Sequence, residues 1–169
     1  MTRHSVPRWS GWNEGHLWGL GNIPPAKSCT IAMRFVDTNI LVYAEQPDAG
    51  ARHRAACQVL REIWAHRDGV LSSQVLQEFF VTVTRQIQNP YSSSVASRII
   101  SNYMAWVIVP IDGQLVLDAI NIQQENNLSY WDAAIVAAAV QASAAELLSE
   151  DLNDGQTIRG VKLCNPLKT

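Results

Sequence analysis

Short apolar runs alternate with longer amphipathic stretches from Met33 onward, and this alternation constrains the fold more than any other feature. Met33-Arg34-Phe35-Val36, Gly69-Val70-Leu71-Ser72, Trp106-Val107-Ile108-Val109, Glu146-Leu147-Leu148-Ser149 and Val161-Lys162-Leu163-Cys164 read as strands. Between them lie helical patterns. Asn39 to Tyr43 turns into a short helix, and residues 51–65 place Ala55, Val59, Leu60 and Ile63 on one face. Residues 74–88 carry the stripe Leu76, Phe79, Phe80, Val83 and Ile87 and stop at Asn89-Pro90. Helices are also predicted over residues 95–103, 112–126 and 129–143, the last rich in alanine. Strands separated by helices require right-handed crossovers. The expected class is α/β, a mainly parallel central sheet of about five strands flanked by helices.

At 169 residues and 47% hydrophobic, the chain can build one sizeable core. No apolar run approaches the roughly 18 residues a membrane-spanning helix needs. Cys29, Cys57 and Cys164 are odd in number and irregular in spacing, so neither a disulfide framework nor a zinc site is indicated; a cytoplasmic setting is expected. The first 32 residues differ from the rest. They hold Trp9, Trp12 and Trp18, four glycines and Pro24-Pro25, without helical or strand period. We read them as an extension without a fold of its own, with Met33 as the natural start and residues 33–169 as the domain. That domain has ten basic residues against fourteen acidic ones, although the whole chain is only -2. A general polyanion binder would be basic. Any nucleic-acid chemistry must therefore be local, or use metal ions to offset the acids.

Ligands of such sheets bind beyond the carboxyl ends of the strands. The first strand runs into Asp37, the fourth into Glu150-Asp151 with Asp154 shortly after, and Asp132 sits in the first turn of the alanine-rich helix. Three separate segments thus bring carboxylates to one sheet edge. Two carboxylates about 4 Å apart repel by roughly 4 kcal/mol at an effective dielectric of about 20. Such a cluster must bind cations or retain protons. Oxygen donors without histidine or cysteine suit Mg²⁺ or Mn²⁺ rather than zinc, and these ions serve phosphodiester hydrolysis.

Four motifs now stand in order: Phe35-Val36-Asp37-Thr38-Asn39-Ile40-Leu41, Val75-Leu76-Gln77-Glu78-Phe79, Tyr130-Trp131-Asp132-Ala133-Ala134-Ile135 and Leu148-Ser149-Glu150-Asp151-Leu152. Together they resemble the PIN-domain ribonucleases, and among these the VapC-type toxins of bacterial toxin–antitoxin pairs. The resemblance spans Met33 to about Pro166. It implies a PIN-like fold, a Mg²⁺- or Mn²⁺-dependent endoribonuclease acting on RNA, a homodimer, and a cognate antitoxin that blocks the active site. It also implies the acidic set Asp37, Glu78, Asp132 and Asp151, with Asp37, Asp132 and Asp151 on the metal. Asp154 falls where the family varies. The 32-residue leader departs from the family pattern, in which the first strand opens the protein.

Each acid has a plainer reading. Asp37 can cap the helix that follows it, and Ser129 with Asp132 forms a plausible capping box. Glu150, Asp151 and Asp154 lie in a polar loop. Glu78 lies roughly 200° from Leu76 at about 100° per residue, so periodicity alone leaves it facing solvent. Its place in the site comes from the resemblance. Arg85 shares nearly the same face as Glu78, and Arg52, Arg54, Arg61 and Arg67 are candidate RNA-backbone contacts, each also readable as a solvated surface charge. Nothing places His53 or His66 at the carboxylate edge. Tyr43, Trp106 and Trp131 read as packing residues rather than base-stacking platforms. A haloacid-dehalogenase-like phosphatase would need a second acid where Asn39 stands. A non-catalytic PIN-like scaffold binding RNA or a partner is the remaining alternative, and metal titration separates it from an enzyme.

Overall fold

The computed structural model of the protein describes residues 32–168. The reading of the leader, the suggested start at Met33 and Cys29 concern residues that fall almost wholly outside this range. Six strands, β1 (Arg34–Val36), β2 (Gly69–Ser72), β3 (Val107–Val109), β4 (Glu146–Leu148), β5 (Thr157–Ile158) and β6 (Val161–Cys164), form one sheet in the order β3-β2-β1-β4-β6-β5. All neighbours are parallel except β5, which pairs antiparallel with β6. The expected five strands are present, and β5 is the addition. It consists of two residues, too few to carry a period, and turns into β6 through Arg159 and Gly160, both at positive φ.

The helices are α1 (Thr38–Ala44), α2 (Ala51–His66), α3 (Ser73–Arg85), α4 (Ser93–Tyr103), α5 (Gly113–Asn126) and α6 (Tyr130–Gln141). Side-chain oxygens of Asp37, Ser72, Ser92, Asp112 and Ser129 accept backbone N–H bonds at the starts of α1, α3, α4, α5 and α6, so most helix starts are fixed by the residue types that favour them. Arg67 and Asn127 end α2 and α5 in the left-handed conformation. α6 packs against β2, β4 and β6, and every residue from Ala133 to Ala139 is buried. Its small side chains allow that close approach to the sheet.

Beyond α4, the indole of Trp106 lies flat against the start of β2. A Cβ on Gly69 would stand 2.3 Å from that ring, so glycine is required there. Trp106, Trp64, Tyr103 and Phe79 make one aromatic cluster, with Trp64–Trp106 and Tyr103–Trp106 centroids 5.1 and 5.2 Å apart. Trp106 is a packing residue, as the sequence suggests, and is 7% exposed.

The strand order reverses between β1 and β4. The chain runs outward from β1 through β2 to β3, then returns through α5 and α6 to enter β4 on the other side of β1. This switch point leaves a crevice at the carboxyl ends of two adjacent strands.

Candidate active site

Asp37 follows the last residue of β1 and extends the ladder, its N–H donating to the carbonyl of Leu148 at 2.9 Å. Its side chain is only 8% exposed. Oδ1 accepts the N–H of Thr38 at 2.6 Å, which is the capping role the sequence allows. Oδ2 accepts from the Ser149 hydroxyl at 2.6 Å and from Nδ2 of Asn39 at 3.1 Å. Burial pushes the Asp37 carboxyl up from 3.8 to about 6. The Ser149 and Thr38 hydrogen bonds pull it partly back, and the nearby charges of Glu78 and Asp151 push it up further.

Asn39, the second residue of α1, links both strand ends. The same Nδ2 reaches Oδ2 of Asp151 at 2.9 Å, and its Oδ1 accepts the N–H of Glu150 at 3.4 Å. Ser149 is 1% exposed and also accepts the N–H of Asp151 at 3.1 Å, so the loop after β4 is folded around its hydroxyl. Glu78 does not face open solvent as a single-stripe helix would have it. It is half-buried, its Oε2 accepts from the Thr38 hydroxyl at 2.8 Å and its Oε1 from Nε2 of Gln74 at 2.9 Å. Helix α3 buries Val75, Phe79 and Val83 while turning Gln74 and Glu78 toward α1 and α6. No ion pair joins Glu78 to Arg85 among the described residues.

At the start of α6, the Ser129 hydroxyl accepts the N–H of Asp132 at 3.1 Å and donates to its carboxylate at 2.8 Å. Capping and presentation of the acid coexist. Asp37, Glu78, Asp132 and Asp151 all line one cavity of about 330 Å³, together with Thr38, Asn39, Gln74, Tyr43 and Trp131. The lining contains no lysine, arginine or histidine. Asp154 is elsewhere: its carboxylate accepts the N–H of Asn165 at 2.8 Å and pairs with Lys168 at 3.1 Å, and it does not line the cavity.

Among the described residues, no three His, Cys, Asp or Glu side chains are close enough to form a ready-made metal cage. The donor set nevertheless fits a hard divalent cation bound by carboxylate oxygens, which keeps part of its water shell and so needs no closed cage of protein ligands. A carboxylate raised first by burial and further by its acidic neighbours, in a cavity without basic side chains, is a place where a cation relieves repulsion.

Residues 34–153, running from the first strand through the loop after β4, match the PIN domain family. The chain belongs to that family. Solved structures with the same PIN fold include a toxin–antitoxin complex from Klebsiella pneumoniae, 26% identical, with a TM-score of 0.57 over 79% of this chain and 97% of that one. Another is VapC20 of Mycobacterium tuberculosis, described as a sarcin-ricin loop cleaving toxin (22% identity, TM-score 0.51, 68% and 86% covered). A third is VapBC2 from Rickettsia felis bound to a DNA fragment from its promoter (17%, 0.56, 78% and 96%). No curated protein matches.

Within this PIN domain, the residues that sequence reasoning did not assign are Ser149, Asn39, Thr38 and Gln74, which hold the acids rather than adding to them. Three carried a signal: Thr38 and Asn39 directly follow Asp37, and Ser149 directly precedes Glu150-Asp151. Gln74 gave none beyond its i, i+4 spacing to Glu78. Among the arginines, Arg52 stands next to the cavity. Its guanidinium lies 5.5 Å from the ring centroid of Tyr43, and its Nε pairs with Glu150 at 2.9 Å. Trp131 corrects the sequence reading. It is 65% exposed, although Tyr130 and Asp132 on either side are half-buried and Ala133 is buried.

Proposed function

We propose that this PIN domain is a Mg²⁺- or Mn²⁺-dependent endoribonuclease, the toxin of a type II toxin–antitoxin pair. The observation that carries the reading is the convergence of Asp37, Glu78, Asp132 and Asp151 on one cavity without a basic residue. Asp37, Asp132 and Asp151 would hold the metal. The chemistry such an ion would supply there is neutralisation of phosphodiester charge and activation of water for attack.

The chain's own contribution is orientation. Ser149, Asn39 and the Thr38 N–H fix both oxygens of Asp37, and Asn39 ties Asp151 to the same array. Two hydrogen bonds hold Glu78 facing the cavity, where its carboxylate orients the attacking water or takes its proton. In-line attack would break the bond between phosphorus and the leaving oxygen.

The same reading gives the chain a cytoplasmic RNA substrate, a homodimeric state and a cognate antitoxin that covers the cavity. No helix of the described residues is long and apolar enough to cross a membrane. The decisive test is cleavage of single-stranded RNA by purified protein with Mg²⁺ or Mn²⁺, alongside Asp37→Asn prepared identically. Cleavage that needs the metal and vanishes in the variant is expected. Full cleavage by Asp37→Asn would refute the assignment, and a small reading frame abutting this one would support the antitoxin.

A further inference from the structure

Helix α6 hides almost everything it carries. From Ala133 to Ala139 each side chain is buried, yet Trp131, two residues earlier, leaves 65% of its surface in water. Isolated exposed apolar residues are ordinary and require no account. Trp131 is not isolated in that sense, because the residue lines the carboxylate cavity and adjoins Asp132. It has one partner on the ring and one on the backbone. Its ring meets Tyr130 edge-on, with centroids 5.4 Å apart and planes at 73°, and its carbonyl oxygen accepts from Nε2 of Gln74 at 3.4 Å. Gln74 is the residue that also holds Glu78, so the backbone bearing the indole is tied to the acidic site.

The opposite chemistry is found at Tyr43, another wall residue. There the guanidinium of Arg52 lies over the phenol ring and is anchored by Glu150. The site therefore combines acids suited to a cation, an exposed aromatic residue, and a cation beside its wall. A strand of nucleic acid presents a group of each matching kind: a phosphate for the metal, a base with a π-face, and a further phosphate for the arginine.

We propose that Trp131 is a stacking platform for a nucleobase of single-stranded RNA beside the phosphate to be cleaved. This rests on the nuclease reading and deepens it by naming a substrate-binding residue outside the acidic set. Stacking on an aromatic face tolerates any base, so Trp131 contributes affinity and register rather than sequence choice.

The test compares wild type, Trp131→Phe and Trp131→Ala for binding of a short mixed-sequence 2′-O-methyl RNA strand in Mg²⁺, with strand integrity checked on a gel. A matching strand with abasic residues throughout serves as the second probe. Unmodified RNA is cleaved in parallel. Trp131→Ala should weaken binding of the base-bearing strand about 5- to 150-fold, the range of base–aromatic stacking, with Trp131→Phe in between. The abasic strand should bind all three proteins equally. In cleavage, KM should rise with kcat nearly unchanged, the mark of lost uniform binding. Because the side chain is exposed, the melting temperatures should agree.

Equal loss on both probes, no loss on either, or no binding of either strand by wild type overturns the proposal. So does an effect confined to a protein partner, with RNA binding intact, which would make the indole a contact for the antitoxin. The two readings separate cleanly. RNA cleavage that is indifferent to Trp131 sinks the stacking and leaves the nuclease. A base-dependent Trp131 effect in a protein that cleaves nothing supports the stacking and sinks the nuclease.

Discussion

The hydroxyl of Ser149 donates to Oδ2 of Asp37 at 2.6 Å, joining residues 112 apart in sequence at the ends of two adjacent strands. Both groups are nearly inaccessible to water. The contact therefore does two things: it fixes the direction of the carboxylate, and it is the strongest influence lowering the affinity of Asp37 for a proton.

Replacing Ser149 with alanine should raise the Asp37 pKa beyond about 6, because the group keeps its burial and loses the donor. The acid limb of the cleavage pH profile should move to higher pH. Stability should fall by about 1 to 3 kcal/mol, since the Oδ2 acceptor keeps only the Asn39 bond. Rates of RNA cleavage across pH, with denaturant melts beside them, check both effects. An unmoved limb would mean that this hydrogen bond does not set the working protonation state.

Asp37 also predicts how the metal-free protein responds to pH. Its folded pKa, about 6, lies above the ordinary 3.8, so the native state holds this proton more tightly than the unfolded chain. The stabilisation from that proton is complete below about pH 4 and is lost as pH rises through 6. The loss is on the order of 2 to 3 kcal/mol at most. Asp37→Asn should flatten this part of the stability curve and match or exceed wild type at neutral pH without metal. Mg²⁺ or Mn²⁺ should restabilise wild type in proportion to occupancy, and the variant much less. Thermal melts from pH 4 to 7, with and without the ion, would show it. Coincident curves for the two proteins would contradict the burial argument.

Glu78 depends on Thr38 in the same way that Asp37 depends on Ser149. Thr38→Val keeps the side chain's shape and removes the hydroxyl that donates to Oε2 at 2.8 Å, leaving Gln74 as the remaining donor. We expect kcat to fall about tenfold with little change in melting temperature, and Glu78→Gln to cost about 100-fold or more. Saturating-RNA kinetics decide the matter. Full kcat in Thr38→Val would show that Glu78 needs no such support.

What the sequence disclosed follows from how much pattern each feature carries. The four-residue segments Met33-Arg34-Phe35-Val36 and Gly69-Val70-Leu71-Ser72 are legible as strands because Phe35, Val36, Val70 and Leu71 are buried whichever face they point to, whereas Thr157-Ile158 has too few residues to show a period. Asp37 was visible because a strand-end acid at a switch point has few other homes. Glu78 was not, because a single-stripe reading gives a helix one covered face, and α3 has two: Val75 and Phe79 in the core, Gln74 and Glu78 against α1 and α6. Trp131 misled for the converse reason. It adjoins an apolar run that is buried from Ala133 on, and only the three-dimensional placement of the helix shows that its own side chain is turned to solvent.

Gly69 supplies a prediction about the fold alone. Alanine there would drive a methyl to 2.3 Å from the Trp106 ring, against backbone that is held in β2 between β1 and β3. The indole must shift, disturbing Trp64 and Tyr103. Gly69→Ala should cost about 1 to 3 kcal/mol or more, as overpacked cores do. Trp106→Phe in the same background should recover part of that loss. The indole Nε1 is buried without a hydrogen-bond partner, so its removal forfeits no such bond. Denaturant melts of the single and double variants form the test, and additive losses would place the strain elsewhere.

Two acids of one loop should behave differently. Asp151 lines the cavity and accepts from Asn39 at 2.9 Å, whereas Asp154 accepts from the Asn165 N–H and pairs with Lys168. Those two contacts lower the Asp154 pKa, the backbone bond most, and commit the carboxylate to the C-terminal segment. Asp151→Asn should cut metal-dependent cleavage about 100-fold, because one of the carboxylates proposed to hold the metal becomes a neutral amide. Asp154→Asn should leave cleavage within about twofold, the surface pair it breaks being worth little. Titrating Mn²⁺ against activity separates the roles further: the midpoint should move to higher concentration in Asp151→Asn and stay in place in Asp154→Asn. An equal shift in both would bring Asp154 into the metal site and require its loop to release Lys168 when the ion binds.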